Sequence, residues 1–165
     1  MSEFERILTC KRNNFILKEK TEKEGEVRMY QKPEEIRVIQ FVREKDRAVM
    51  KETTMKNELE TFNKFVGGYI EVTGAVPDGG RKGEPLHLVI HEEGKLINLE
   101  PTIGFAMSNQ IIDYTAGNAV LLRSNEEGDF DSLTDEDVAY LKGRYGTQGV
   151  LSLGDKSYHA FIFNG

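Results

Sequence analysis

The most suggestive chemistry in this sequence is an aromatic ring beside a glycine pair, followed by a glycine-rich basic segment. Tyr69 follows the glycine pair, and Arg81 and Lys82 lie among the glycines of 77–85. A tyrosine ring can stack on a nucleobase, and two cations with backbone amides can hold a phosphate. These residues predict a site for a small anionic ligand. Alternatively, the glycines end a helix, the ring is half-buried core and the cations keep a loop soluble.

A second polar cluster surrounds the start of a predicted strand. Its members combine amide, carboxylate, phenol and guanidinium groups: Asn109, Asp113, Tyr114, Asn118 and Arg123. Such groups orient small ligands in mostly apolar pockets, and we include Asn109, Tyr114 and Arg123 in the predicted ligand-binding set. The alternative is that they simply form turns.

Metal and cofactor chemistry is poorly supported. His87 and His91 share one strand face, but four strand residues span roughly 13 Å, which is too far for both to bind one ion. Asp129 and Asp131 begin like a calcium loop, but the ligand and glycine positions that should follow are occupied by other residues. We predict no metal and no cofactor.

Catalytic motifs are also lacking in the sequence. There is no Gly-x-Ser-x-Gly elbow, no P-loop and no dinucleotide fingerprint, and Cys10 lies in an apolar run without a sign of an activating base. We therefore predict no catalytic residues and expect that the protein is not an enzyme. A small hydrolase or nucleotide-modifying enzyme built from scattered residues stays open.

Length and charge restrict the class of protein. The 165 residues suit a single domain, 1–165. A net charge of -6 and a pI near 5.2 argue against duplex DNA as partner, because that binding depends on a basic surface. The single cysteine and the shortness of the longest aliphatic run, 119–122, favour a cytoplasmic protein that is not inserted in a membrane.

The apolar pattern predicts an α+β fold, a mixed and mainly antiparallel sheet of about six to eight strands with two helices packed on it. The first helix, 54–66, would be capped by Thr53 or Thr54 and end at Gly67. The second, 135–142, would have Thr134 and Asp137 as a capping box and stop at Gly143.

Strand patterns divide the chain into three zones: an N-terminal extension of two or three strands (1–33), a core (35–142) and a C-terminal extension (144–165). In the core, 36–42 has apolar groups on both faces, 69–76 and 118–123 are further strands, and 86–99 is predicted as a hairpin. The apolar run 158–163 must be inserted in the sheet or used between subunits. We expect a homo-oligomer.

Several short motifs carry a family resemblance: Val66-Gly67-Gly68-Tyr69-Ile70-Glu71, His91-Glu92-Glu93-Gly94-Lys95-Leu96, Asp113 with Gly117, and Ser132-Leu133-Thr134. In this order they resemble a domain family of unknown function from bacteriophages, plasmids and their bacterial hosts. The resemblance implies an accessory protein of a mobile element, of the kind that counters host defence. It assigns no catalytic or ligand-binding residue.

Three functions follow as hypotheses. The first is a non-catalytic protein that sequesters a small nucleotide immune signal, using Tyr69, Arg81, Lys82 and Arg123. The second is an inhibitor that occupies a basic surface of a host nucleic-acid enzyme through its acidic face at 126–137. The third is the small enzyme described above.

Overall fold

The structure is a computed structural model that describes residues 6–10, 15–19, 27–74 and 86–164, with side chains for 30–73 and 86–164. The chain divides into two compact units, Met1–Pro33 and Glu34–Gly165. In the first unit, β1 (Arg6–Cys10), β2 (Phe15–Glu19) and β3 (Val27–Gln31) form an antiparallel sheet in that order. The single-domain assignment stays a prediction.

The second unit contains two sheets and two helices. In chain order its elements are β4 (Glu35–Arg43), β5 (Ala48–Lys56), α1 (Leu59–Val66), β6 (Ile70–Gly74), β7 (Leu86–His91), β8 (Pro101–Met107), β9 (Gln110–Ala116), β10 (Ala119–Ser124), β11 (Phe130–Asp131), α2 (Asp135–Tyr145), β12 (Gln148–Leu153) and β13 (Lys156–Asn164).

The large sheet is antiparallel throughout, with the order β5-β4-β10-β7-β6 and with β11 paired to β10. The small sheet has the order β12-β13-β8-β9, and its β13–β8 pair is parallel. The α+β class and the mainly antiparallel pairing are therefore confirmed. The strands of this unit form two sheets rather than one. The small sheet includes two strands, 101–107 and 110–116, that the apolar pattern did not indicate.

Burial on both faces of the large sheet organises this unit. In β4, Ile36 and Val38 point to one face while Ile39 and Phe41 point to the other, and all four side chains are fully buried. The first pair joins a cluster that includes Phe62 of α1. The second pair joins the larger cluster, to which the small sheet and α2 contribute Ile103, Phe161, Phe163, Leu141 and Tyr145.

Helix α1 begins at Leu59, so the predicted start at residue 54 is wrong. Thr53 and Thr54 lie in β5, which pairs with β4 along all nine of its residues. β-branched side chains suit a strand, and the backbone of this segment is already engaged by β4. The predicted end is confirmed, because Gly67 has a φ of 86° and its N–H donates to the Asn63 carbonyl.

Helix α2 has the predicted capping box but continues beyond the predicted stop. Gly143 lies inside the helix, and the C-cap is Gly146. Tyr145 is fully buried, with its ring centroid 4.4 Å from that of Phe163. Burial of a tyrosine stabilises the last turn by more than the roughly 1 kcal/mol that a helical glycine costs.

The hairpin predicted for 86–99 is wrong in its second half. β7 pairs with β6 and β10, whereas 92–98 forms consecutive turns and Leu96 is exposed. Because both edges of β7 are already paired, 92–98 has no edge of β7 with which to form a strand.

The apolar strand at 158–163 is inserted in the small sheet between β12 and β8. In the described part of the chain, neither helix has the length and apolar composition of a membrane span.

A buried ion pair fixes the start of α2. Asp137 has no exposed surface, and its carboxylate accepts hydrogen bonds from Arg123 at 2.8 and 2.7 Å and from the Thr134 N–H at 2.9 Å. Burial raises the pKa of Asp137, but these hydrogen bonds and the charge of Arg123 outweigh it and lower the pKa to about 2.

We expect Asp137→Asn to lower the free energy of unfolding at neutral pH by about 2 kcal/mol, the equivalent of this pKa change. In the wild type, the Asp137 carboxylate makes its full contribution to the free energy of unfolding above the unfolded pKa of about 4 and loses it as the pH falls towards 2. The stability of the variant should therefore change less with pH in the acid range. Urea unfolding followed by circular dichroism measures both. Asp135→Asn, at an exposed carboxylate of the same turn, is the control; an equal loss there would contradict the role of burial.

Candidate functional site

A cleft of about 640 Å³ opens where the two sheets of the second unit diverge. Its walls are β6 and β7 of the large sheet, β8 and β9 of the small sheet, and the 92–98 turn. The lining residues are Glu71, Thr73, Leu88, Ile90, His91, Glu92, Glu93, Lys95, Leu96, Phe105, Ile112, Asp113, Tyr114, Thr115 and Ala116.

The floor of the cleft is the end of the larger core cluster. Leu88 belongs to that cluster, and Ile90 and Phe105 pack against it while remaining partly accessible. Leu96 and Ile112 stand at the rim with 77% and 59% of their surfaces exposed. The cleft therefore offers apolar surface both at its base and at its mouth, as small-molecule and peptide sites commonly do.

Charge in the cleft is strongly asymmetric. Among the described lining residues there are four carboxylates, those of Glu71, Glu92, Glu93 and Asp113, and one ammonium group, that of Lys95. Four negative charges and one positive charge give a net charge of -3. All four carboxylate residues are solvent-accessible, so an incoming ligand meets this negative potential before it reaches the apolar floor.

Lys95 is already engaged within the cleft. Its ammonium group forms an ion pair with Asp113 and lies 4.7 Å from the centroid of the Tyr114 ring. Asp113 also accepts a hydrogen bond of 2.8 Å from the Tyr114 N–H. Partial burial raises the pKa of Asp113, but the hydrogen bonds from Lys95 and Tyr114 outweigh it, so the pKa is lowered and the carboxylate stays charged.

Glycine at position 94 allows the turn to reach β9. A Cβ atom there would lie 2.6 Å from the carbonyl oxygen of Ala116, a backbone atom that cannot move aside easily. The residue after Ala116 is also a glycine. Gly117 has a φ of 87° and donates its N–H to the Glu100 carbonyl at 2.8 Å. This close approach places Lys95 beside Asp113.

His91 connects the cleft to the end of α1. Only 8% of it is exposed, and its Nδ1 accepts a hydrogen bond of 2.9 Å from the Glu93 N–H. On the other side of the ring lies Gly68, where an added Cβ atom would be 2.3 Å from Nε2. His87 instead lies 2.8 Å from the Ser124 hydroxyl. Each imidazole ring therefore has a hydrogen-bond partner within the fold. The described residues contain no cluster of three metal-ligating side chains.

Of the four predicted ligand-binding residues that the structure describes, Tyr114 alone lines this cleft. Tyr69 is 75% exposed and borders a separate shallow depression beside α1. Asn109 lies in the β8–β9 turn with a φ of 64°. Arg123 forms the buried pair with Asp137. Arg81 and Lys82 lie outside the residues that the structure describes.

The prediction missed the residues that dominate the charge of the cleft: Glu71, Glu92, Glu93 and Lys95. They were visible in the sequence only as a charged turn and as a polar strand position. The turn residues lie close to Asp113 because the turn contacts β9. This contact joins Lys95 to Asp113, 18 residues later in the chain.

Residues 36–146 match the family model described as Domain of unknown function (DUF3846). The chain belongs to this family. Comparisons with curated proteins and with solved structures gave no match. The described lining residues of the cleft, which run from Glu71 to Ala116, all lie within the DUF3846 region.

Three of the short motifs in the DUF3846 region meet around the cleft. The glycine pair before Tyr69 contacts His91, and Lys95 of the turn motif pairs with Asp113 of the third. The fourth motif has a separate structural role, since Ser132 accepts a hydrogen bond from the Arg37 N–H and Thr134 caps α2. The first three therefore build one site.

We expect Gly94→Ala to lower the free energy of unfolding by about 2 kcal/mol, because the new methyl group overlaps the Ala116 carbonyl and the turn must move. Chemical unfolding followed by circular dichroism tests this. Gly143→Ala is the matched control, since a Cβ atom there meets open space within a helix and should stabilise the protein by up to about 1 kcal/mol. Equal stability of Gly94→Ala and wild type would contradict the close contact.

Proposed function

We propose that this DUF3846 protein is a non-catalytic binding protein that captures a basic segment of another protein in its acidic cleft. The observation that supports this function is the combination of an apolar floor with a net charge of -3 among the described lining residues of one cleft. This is a form of the protein-inhibitor hypothesis, with the acidic surface placed at the cleft.

Lysine and arginine side chains match both properties of the cleft. Their aliphatic stems can cover the apolar surface of Phe105 and Ile112, while the charged end meets the carboxylates at the rim. At about 4 Å, one such contact contributes between about 1 and about 4 kcal/mol of Coulomb attraction, depending on solvent exposure. Several rim carboxylates around one cation therefore favour a basic ligand over a neutral one.

The acidic run at 126–137 is less suited to this role than the cleft. Asp137 is buried and paired with Arg123, and Asp135 is paired with Arg37. Carboxylates whose charge is already compensated attract a distant cation weakly. The cleft carboxylates Glu71, Glu92 and Glu93 adjoin accessible apolar surface, including that of Leu96 and Ile112.

Sequestration of a small nucleotide signal stays a prediction. In its favour, the Tyr114 ring borders the cleft. Against it, phosphate groups would approach the four carboxylates of the described lining. A nucleotide-modifying enzyme also stays a prediction.

The family resemblance supports the biological setting of the proposal. An accessory protein of a phage or plasmid would act in the bacterial cytoplasm, and a basic surface on a host enzyme that handles nucleic acid is a suitable target. Blocking such a surface requires binding alone.

Lys95→Met separates the two kinds of ligand. We expect the variant to bind a basic probe, an acetylated and amidated heptapeptide of alternating lysine and valine, about fivefold more tightly, because a competing internal cation is removed from Asp113. A cyclic dinucleotide, as the anionic probe, should bind neither protein. Isothermal titration calorimetry at low and moderate salt measures both.

Lys156→Met, at an exposed position outside the cleft lining, is the charge-matched control and should leave both affinities unchanged. Binding of the dinucleotide by the wild type, weakened in Lys95→Met, would replace the proposal with an anion site. Failure of the basic probe to bind any of the three proteins would also contradict it.

A further inference from the structure

Strand β9 borders the cleft with its free edge. Five consecutive residues of β9, 112–116, line the cleft, whereas β6 contributes only the alternate residues Glu71 and Thr73. Successive side chains of a strand point to opposite faces, so a strand lines a cavity with every residue only when its edge faces that cavity. Among the strands that the structure describes, β9 is also the outermost of the small sheet and pairs with β8 alone.

An irregularity in β9 directs an apolar side chain to this edge. Phe105 pairs with Asp113 and Ala106 pairs with Ile111, so Ile112 is left without a partner in β8. Such a bulge turns the extra residue away from the regular ladder, and bulges are common beside functional sites. Ile112 is accordingly exposed and lines the mouth of the cleft.

The middle of this edge is closed by the protein's own side chains. The Tyr114 N–H donates to the Asp113 carboxylate, and Lys95 holds that carboxylate in place. Proteins protect free strand edges with charged groups in this way, because an open edge invites pairing with another chain. The protecting carboxylate could release the Tyr114 N–H if another cation and another carbonyl group took over its two contacts.

We propose, on the basis of the proposed function, that the partner segment binds as an added β-strand along β9. One lysine or arginine of the segment takes the place of Lys95 on Asp113, and a backbone carbonyl of the segment accepts the Tyr114 N–H. Its alternate side chains are branched and apolar and cover Ile112 and Phe105. Thr115 and Ala116 are buried, so the accessible part of β9 is 110–114. These five residues span roughly 17 Å, so the segment has about five residues in extended conformation.

Charge complementarity selects a basic partner over a second copy of this chain. Pairing of β9 with β9 would bring the carboxylates of two acidic clefts together, and each chain carries a net charge of -6. A short basic strand meets the opposite situation, since each cation reduces the repulsion among the rim carboxylates.

Panning a random heptapeptide library against the full chain tests the proposal. We expect the enriched peptides to alternate lysine or arginine with valine, isoleucine or similar residues, and to lose binding to Asp113→Ala. In a synthetic copy of an enriched peptide, N-methylation of alternate amides should weaken binding about tenfold, while N-methylation of the intervening amides changes it about twofold or less. That alternation is the signature of one hydrogen-bonded edge.

Circular dichroism of Asp113→Ala confirms that the variant is folded; if it is not, Asp113→Asn, which keeps an acceptor for the Tyr114 N–H, replaces it. A basic peptide that tolerates N-methylation at every position would overturn strand addition and leave the proposed function standing. Enrichment of acidic or uncharged peptides would overturn both. A dimer in size-exclusion chromatography that is lost on Ile112→Lys would assign the edge to a second copy and overturn the basic partner.

Discussion

The second unit depends on burial of both faces of the large sheet. A strand such as β4, with Ile36 and Val38 on one face and Ile39 and Phe41 on the other, is stable only when each face is covered. Helix α1 covers one face, and the small sheet together with α2 covers the other. Placing two layers of different shape on one sheet determines where the core ends and where accessible apolar surface remains.

The cleft is a consequence of this mismatch. Residues of β6 and β7 line this space, which is also bordered by the 92–98 turn and by β9, the outermost described strand of the small sheet. Here its mouth has exposed Leu96 and Ile112, and its rim has more carboxylates than structural pairing uses.

Features determined by residues close together in the chain could be predicted from the sequence, and pairing between distant residues could not. The two-faced pattern at 36–42, the Thr134–Asp137 capping box and the left-handed Gly67 each depend on neighbours in the chain, and each was predicted correctly. Thr53 and Thr54 were misassigned because strand partners 15 and 17 residues away, Val38 and Arg37, decide their conformation. Lys95 and Asp113 were not linked because only the contact of Gly94 with β9 brings them together.

The choice between a basic and an anionic ligand depends on two energies of similar size. Stacking of a base on an aromatic ring such as that of Tyr114, which is partly buried, contributes at most about 1–3 kcal/mol. A phosphate about 8 Å from a carboxylate meets about 2 kcal/mol of repulsion at an effective dielectric constant of 20, before salt screening reduces it. With a net charge of -3 among the described lining residues, this repulsion is at least as large as the stacking term. The same charges act in favour of a lysine or arginine, for which the apolar floor adds burial of the side-chain stem.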